Sequence, residues 1–468
     1  MAATTVADLV ADGLARARAA RIFTAGTGSS PPALLRAAER RTLSLVSADG
    51  AAEATLMAAI TGELADAPGA VILTDSGVEA ARPALRYAAA SRAPLIVLTE
   101  RAAGAAMAPL LKGVIEVEPA SAAHWIAHAV QRALADPRGP VAVVIPPGVA
   151  TAAAVPVATS LRPVVSPPPV EALDDAARLL VNAARPVLVV GLECRTGDAA
   201  GWLRPFAETL PAPALTTLKG KGVLPDPHPL VLGLVGSAVA HSLLDRADLI
   251  VAVGVDPIEG AHSAWPVATT VLHLGRVSHA LRTTVELIGD VALLLEELAP
   301  RIRARSRADW DVAELDRLKR SATARARAES SRLSRVLHAA RELTPAGTIA
   351  VVGPGALVDT VAAAWPAVAP NELLIDGELP DFAPSAAVAA ALHHPDRQVI
   401  CVTTAATAAL SVIERLALSI VTVSLSPVQG LAAGGIATAT ARDEPMLRAS
   451  LDRAVRHRGA ALIDASNI

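Results

Sequence analysis

Five acidic residues stand out as side chains that could do chemistry, and they lie in two short stretches. Asp49 and Glu53 form the first pair, and Asp376, Glu378 and Asp381 form the second group. Carboxylates can act as general acids or bases, and they can ligate hard cations such as Mg²⁺. For Glu378 and Asp381 two interpretations stay open, which are loop charges in water and a cation- or metal-binding role. These five residues are the catalytic candidates.

A third candidate position is the end of an apolar run in the last part of the chain. Residues 399–402 (Val-Ile-Cys-Val) are typical of a buried strand. In an α/β fold such a strand delivers functional groups at its carboxyl end. Here that end carries Thr403, Thr404, Ala405 and Ala406, none of which is charged.

The elements that must position these residues follow an alternating pattern of short apolar strands and Ala-rich helices. The pattern predicts an α/β fold with three doubly wound modules, each built on a parallel sheet. We predict modules at 1–155, 170–300 and 346–468, with a charged, solvated helical connector at 301–345. The strands are predicted in the runs ARIFTA, AVILTD, PLIVLTE, PVAVVIP, RPVLVVG, PALTTL, DLIVAVGVD, TVLHLG, TIAVVGPG, QVICVTT, SIVTVSL and AALIDA.

Composition narrows the class of protein. Hydrophobic residues make up 52% of the 468 residues and aromatic residues only 2%, so the core must be built from Ala, Val and Leu. A net charge of −3 gives no reason to expect a nucleic-acid or membrane-surface partner. Cys194 and Cys401 lack zinc-ligand spacing and are expected to be buried thiols. No secretory signal and no apolar run of about 20 residues appears, so a cytoplasmic protein without a spanning helix is expected.

Several stretches resemble the thiamine diphosphate (ThDP) enzymes of the acetolactate synthase and pyruvate oxidase type. The resemblance implies that ThDP would lie between the first domain of one subunit and the third domain of another, so a homodimer or homotetramer is expected. The stretches that carry it are DPRGPVAVVIPPGV, AARPVLVVG, TTLKGKGVLPDPHPLVLGLVG, ADLIVAVGVD, HHPDRQVICV and RASLDRAVRHRGAALID.

The resemblance also implies a magnesium site. Such enzymes carry Gly-Asp-Gly after the strand of the third domain and an Asn further along, whose oxygens hold the Mg²⁺ that bridges to the diphosphate. The matching positions here are Thr404, Ala405 and Ala406. Because alanine cannot ligate a metal, the sequence predicts no metal site at this position.

Two further family devices are altered. The Gly-x-Met-Gly loop that approaches the diphosphate falls on Glu378 to Asp381, which brings two carboxylates to this place. At a separation of about 4 Å, like charges repel by about 1 kcal/mol in water and by about 4 kcal/mol at an effective dielectric constant of 20. Nothing nearby in sequence compensates this charge. The Glu that contacts the aminopyrimidine falls on Ala51, with Asp49 and Glu53 two residues to either side. The covering segment before the last helix is short, over SPVQGLAAGGIATATARDEP.

These features lead to three functional hypotheses. The first is an acetolactate synthase-like protein that has lost the binding of ThDP and Mg²⁺ and needs no cofactor. Such a protein is either a noncatalytic partner, which could pair with an active homologue, or a cofactor-independent enzyme. The second is an active ThDP-dependent 2-oxoacid lyase or carboligase that binds ThDP and Mg²⁺ in an unusual way. The third is a nucleotide-binding regulator using the central domain, although Glu193 follows the first strand of that domain, where a phosphate would come.

Overall fold

A computed structural model describes most of the chain. The described residues are 4–26, 31–101, 107–161, 168–196, 198–278, 283–302, 308–328, 331–355, 357–405, 408–428 and 435–468. They form three six-stranded parallel sheets flanked by helices, which confirms the predicted α/β class with three sheet modules. The predicted domain limits remain a prediction.

The first sheet has the strand order β2-β1-β3-β4-β6-β5. Its four inner strands are buried along most of their length, as continuous apolar runs require. Its elements, in chain order, are α1 Val6–Arg16, β1 Arg21–Ala25, α2 Pro32–Arg40, β2 Ser44–Ala48, α3 Ala51–Ala65, β3 Gly69–Ile72, α4 Asp75–Ala80, α5 Arg82–Ala90, β4 Leu95–Thr99, β5 Gly113–Glu116, α6 Ala122–Leu134 and β6 Pro140–Val144.

The central sheet has the order β12-β11-β10-β7-β8-β9. The strand order reverses between β7 and β10, and open α/β sheets place a ligand crevice at such a point. Its elements are α7 Val170–Asn182, β7 Pro186–Val190, α8 Ala199–Thr209, β8 Ala214–Thr216, β9 Val231–Leu234, α9 Ala238–Leu244, β10 Leu249–Val253, β11 Thr270–Gly275, β12 Val285–Ile288 and α10 Val291–Arg301.

The charged stretch predicted as a connector contains two helices, α11 Val312–Ala328 and α12 Arg332–Leu343. In α11, among the described side chains, only Leu315 is buried, as expected for a solvated helix, whereas α12 buries one face. The third sheet follows, with the order β14-β13-β15-β16-β18-β17. Its elements are β13 Ile349–Val352, α13 Val358–Ala364, β14 Leu373–Ile375, α14 Phe382–His393, β15 Val399–Thr403, α15 Leu410–Arg415, β16 Ile420–Ser424, β17 Ala437–Thr440, α16 Glu444–His457 and β18 Ala461–Asp464.

The chain divides into two compact units. The first unit comprises residues 1–164, 378–439 and 457–464, and the second comprises residues 165–377, 440–456 and 465–468. None of the helices in the described ranges is both long and apolar enough to cross a lipid bilayer.

Two helices of the first unit, α3 and α14, are buried around almost their whole circumference and pack against each other. Their surfaces are built mainly from small residues, which allow close approach. Helix α3 also packs tightly on the sheet, because a Cβ at Gly62 would lie 2.2 Å from the Pro94 carbonyl oxygen and one at Gly69, in β3, would lie 1.9 Å from that of Ala58. This packing fixes the amino ends of both helices, where the candidate acids lie.

Candidate functional site

The first candidate acids lie at the turn between β2 and α3. Asp49 follows the strand, Ala51 opens the helix, and Glu53 lies in its first turn. The Asp49 backbone N–H donates to Glu53 Oε2 at 2.9 Å. The turn therefore holds the Glu53 side chain against the backbone, one helical turn from the strand end.

Helix α15, also in the first unit, closes this turn from the other side. The Ser411 hydroxyl donates to Asp49 Oδ2 at 2.5 Å, and the Arg415 guanidinium donates to the Ser47 carbonyl oxygen. The sequence hypotheses did not include Ser411 or Arg415. They lie more than 360 residues away along the chain, and neither belongs to a recognisable motif.

Glu53 is the member of this set with a perturbed acidity. Burial raises the pKa of Glu53, and the negative charges of Asp49 and Asp381 raise it further, while backbone hydrogen bonds from Asp49 and Gly50 oppose the shift. Its second oxygen, Oε1, is buried and has no hydrogen-bond partner in the described part of the chain. A carboxyl group in this state is suited to hold or pass a proton.

Glu378 and Asp381 lie just before α14, and a positive group or helix end lies beside each of their carboxylates. The carboxylate of Glu378 lies 3.5 Å from the guanidinium of Arg86, which comes from α5. Nothing near this stretch along the chain compensates its negative charge, but the fold brings a guanidinium to it from α5, which corrects the expectation that the charge is uncompensated. Asp381 directly precedes α14, where the positive end of the helix dipole favours a carboxylate.

The structure brings together Asp49, Glu53 and Asp381, and we call these three residues the "acidic turn". Asp376 follows β14 and belongs to the second unit.

The carboxyl end of β15 carries hydroxyl groups instead of carboxylates. Thr403 is buried, and its hydroxyl accepts a 3.0 Å hydrogen bond from the Ala405 N–H, whereas Thr404 is exposed. Ala406 lies outside the described residues, as do residues 429–434 of the short covering segment. Within the described ranges, no three His, Cys, Asp or Glu side chains are grouped so as to hold a metal ion.

The crevice of the central sheet also holds carboxylates, at the ends of β7 and β10. Glu259 accepts backbone hydrogen bonds from Leu192 and Asp256, each at 3.1 Å, and Glu193 accepts one from Arg276 at 2.6 Å. Burial raises the pKa of Glu259 to about 7, against hydrogen bonds that lower it.

The same crevice is closed by its own backbone. A Cβ on Gly191 would lie 2.4 Å from the carbonyl oxygen of Gly254, so the turns after β7 and β10 are in contact. We call this arrangement of Gly191, Glu193, Gly254 and Glu259 the central crevice. Its carboxylates and its closure disfavour a phosphate at this point.

Two stretches of the chain match known domain profiles. Residues 4–106 match the profile described as "Thiamine pyrophosphate enzyme, N-terminal TPP binding domain", and residues 173–298 match "Thiamine pyrophosphate enzyme, central domain". The chain belongs to the thiamine pyrophosphate enzyme family. The acidic turn lies within the first match, apart from Asp381, and the central crevice lies within the second.

Curated relatives of this family member include acetolactate synthases. It is 30% identical over 248 residues to the acetolactate synthase isozyme 1 large subunit of Escherichia coli, covering 49% of this chain and 43% of that one. It is 33% identical over 142 residues to the acetolactate synthase of Mycobacterium bovis, covering 28% of this chain and 22% of that one. The chain therefore spans less than half the length of these two relatives.

Two solved structures share the fold of this chain along almost its whole length. An X-ray structure of a protein from Mycobacterium smegmatis, described as a candidate thiamin diphosphate-dependent enzyme, superposes with a TM-score of 0.78 at 22% identity over 99% of both chains. Benzoylformate decarboxylase from Polynucleobacter necessarius superposes with a TM-score of 0.77 at 18% identity over 98% of both chains. At these identities the likeness shows a shared fold.

The family match overturns one expectation. The prediction that this protein needs no cofactor is wrong: the matched N-terminal profile is that of a TPP binding domain, and the acetolactate synthase relatives point to ThDP and Mg²⁺. The prediction relied on Ala51, Thr404, Ala405 and Ala406, on the carboxylates of Glu378 and Asp381, and on the short covering segment.

The described residues fit the two ends of ThDP differently. At the pyrimidine end, the buried and unpartnered Glu53 Oε1 is the kind of atom that a ring nitrogen or amino group would satisfy. At the diphosphate end, Thr404 offers a hydroxyl but no described carboxylate or amide stands at the family's ligand positions, so the family's Mg²⁺ ligand set is not reproduced there.

Proposed function

We propose that the protein is a ThDP-dependent enzyme of the acetolactate synthase type, a lyase or carboligase that acts on 2-oxo acids. One observation carries the proposal. Glu53, which has an unpartnered buried oxygen beside an open turn, lies within the stretch that matches the family's TPP binding domain. When bound, ThDP supplies the carbanion and the electron sink that 2-oxoacid chemistry needs.

The proposed role of Glu53 is to hold a proton at its Oε1 atom, facing the aminopyrimidine. Burial raises the pKa of Glu53, so the neutral carboxylic acid is more populated than in water and can donate a hydrogen bond. Asp49 is a positioning residue in this proposal, since its N–H fixes Glu53 Oε2 and its carboxylate is fixed by Ser411. The likeness to acetolactate synthases supports the substrate class.

Mg²⁺ would be bound more weakly here than by a site with carboxylate and amide ligands. Mg²⁺ retains several waters and is often held through few protein ligands together with phosphate oxygens. In this proposal the exposed Thr404 hydroxyl is the protein ligand nearest to the family's position. The predicted consequence is a higher magnesium requirement than a site with a carboxylate ligand would show.

We also propose a homodimer or homotetramer, because the resemblance to the family implies a cofactor site completed by a second subunit. Light scattering of the purified chain tests this. A monomer that still binds ThDP would contradict the shared site and leave cofactor use standing.

Isothermal titration with ThDP at saturating Mg²⁺ tests the cofactor proposal directly. We expect saturable binding that disappears when EDTA removes the metal, and release of CO₂ from pyruvate in the loaded protein. Thiamine without its diphosphate is the matched control and should bind much more weakly. Absence of any heat or thermal shift at millimolar ThDP and Mg²⁺ would overturn the proposal.

A further inference from the structure

A cavity of about 390 Å³ lies in the second unit, and none of its described lining residues belongs to the acidic turn or the central crevice. It is bounded by the ends of β8 and β9, by α9, by α11 and by α13. This volume lies within the range of small-molecule sites. Its aliphatic wall includes Leu232, Leu234, Val239 and Ala326.

The inner end of the cavity holds polar groups with unused hydrogen-bonding capacity. Thr216 is 1% exposed, and its Oγ1 atom is buried without a hydrogen-bond partner in the described part of the chain. A hydroxyl taken out of water in this way costs free energy unless something pairs with it. The cavity offers a place for that partner.

Lys221 adds a buried charge beside the same space. It is 7% exposed and forms an ion pair with Asp226. Asp226 is tied down in turn, because its Oδ2 atom accepts a hydrogen bond from the Ala367 N–H at 2.7 Å. An ammonium group carries three donors, and the contact with Asp226 uses one of them. The inner end therefore offers the donors of Thr216 and Lys221 beside one carboxylate, Asp226.

The outer part of the cavity carries one cation and one anion, Arg325 on α11 and Asp359 on α13. Both are exposed, and within the described ranges neither takes part in an ion pair. Together with the Lys221–Asp226 pair, they leave the wall formally neutral, so the site does not select for a highly charged ligand such as a polyphosphate.

We propose that this cavity binds a small aliphatic carboxylate. Its carboxylate oxygens accept hydrogen bonds from Thr216 and Lys221 at the inner end, and its hydrocarbon part packs against the leucine, valine and alanine wall. An α-amino acid shares this chemistry, and its ammonium group, one carbon away from the carboxylate, would meet Asp226 at the inner end. The site is independent of the proposed ThDP chemistry.

Binding of 3-methylbutanoate, measured by saturation-transfer NMR and titration calorimetry without ThDP or Mg²⁺, tests the proposal. We expect saturable binding, and no competition from the neutral isostere 3-methylbutan-1-ol. Leucine serves as the second probe: tighter binding than 3-methylbutanoate assigns an ammonium contact to Asp226, and equal or weaker binding assigns the site to simple carboxylates. Because no cofactor is present, failure here is distinct from failure of the proposed function.

Variants locate the site. Thr216→Val keeps the shape of the side chain and should weaken binding about 2- to 10-fold, the effect of one hydrogen bond, whereas Thr216→Ser should bind like the wild type. Arg325→Ala should weaken binding less, and Arg327→Ala, on the same helix but outside this cavity, should leave it unchanged.

Three results would overturn the proposal. They are absence of binding by both carboxylates in the folded wild-type protein, equal binding of the alcohol, and wild-type affinity in Thr216→Val. A thermal melt of each variant establishes that it is folded before affinity is measured.

Discussion

The acidic turn of the first unit and the central crevice of the second are built from similar residue types and behave in opposite ways. Both place glutamate carboxylates beside a glycine at the end of a parallel strand. At the acidic turn, a Cβ on Gly50 would meet nothing within 4 Å, whereas at the central crevice a Cβ on Gly191 would lie 2.4 Å from the Gly254 carbonyl oxygen. The first position is open and the second is filled.

The hydrogen bonds of the two glutamates are alike in one respect. Each accepts backbone N–H groups on Oε2, and each has a buried Oε1 atom without a hydrogen-bond partner in the described part of the chain. Glu259 joins two turns whose backbones are in contact, so its carboxylate acts as a structural bridge. An unpartnered oxygen at the end of a strand is therefore a candidate for chemistry only where the surrounding backbone leaves space for a ligand.

The largest expected effect comes from removing the acid of the acidic turn. Glu53→Gln keeps the size of the side chain but cannot hold an ionisable proton, so we expect kcat/KM with a 2-oxo acid and ThDP to fall by about 10²- to 10⁴-fold. Steady-state kinetics with the loaded enzyme measures this.

The matched control for that change is Glu259→Gln, which alters a buried carboxyl in the central crevice. We expect it to leave kcat/KM within a few-fold of wild type. Equal losses in the two variants would show that the contrast between the two sites is wrong and that both act through stability.

The second expected effect is a pH dependence of stability that originates in the central crevice. Burial raises the pKa of Glu259 to about 7 from its ordinary value of 4.5. A carboxyl that binds its proton more tightly when folded makes the folded state less stable as pH rises, so stability should fall between about pH 4.5 and 7 and stay low above 7.

The size of that loss is on the order of 3 kcal/mol, since each pKa unit corresponds to about 1.36 kcal/mol. In Glu259→Gln this part of the pH dependence should be absent. Urea denaturation at several pH values measures the free energy of unfolding of both proteins, and parallel pH profiles would contradict the assignment to Glu259.

The third effect compares the two glycines. Gly191→Ala should destabilise the protein by about 1–3 kcal/mol, because the new methyl group must displace backbone atoms of Gly254 and Val255 as well as the Glu259 carboxylate. Gly50→Ala, where space is open and φ is −142°, should change the free energy of unfolding by less than about 1 kcal/mol, because the smaller entropy of the unfolded chain offsets the preference for Gly over Ala at a helix N-cap. Chemical denaturation of the two variants measures the difference, and similar losses would mean that the crevice is less closed than the structure shows.

The sequence predicts the inner strands of each sheet and misses the edge strands. In every sheet the four inner strands were predicted, and the two edge strands were missed: β2 and β5, β9 and β12, β14 and β17. Inner strands are covered on both faces and read as uninterrupted apolar runs. Edge strands such as β5, GVIE, and β17, ATAT, are short and largely solvated, so they lack that signal.

The site was predictable only in part. Asp49, Glu53 and Asp381 were chosen as acids from sequence, and the structure groups them, but Ser411 and Arg86 could not be chosen. Their partners lie hundreds of residues away along the chain, and a lone serine or arginine has no spacing to mark it. Alignment to a family motif tested only whether the expected residue type stood at one position. It could not show that Glu53, two residues along, has an unpartnered oxygen.

The smallest effect concerns the ion pair between Arg86 and Glu378 beside the acidic turn. The two groups are 3.5 Å apart, but their side chains are 69% and 82% exposed, so water and salt screen the attraction. Arg86→Ala should therefore change the free energy of unfolding by less than about 1 kcal/mol, and the change should shrink further in 1 M salt. Urea denaturation at low and high salt measures both quantities. A larger, salt-independent loss would mean that Arg86 supports the first unit through packing of its stem and not through its charge, and the acidic turn would then depend on α5 as well as on α15.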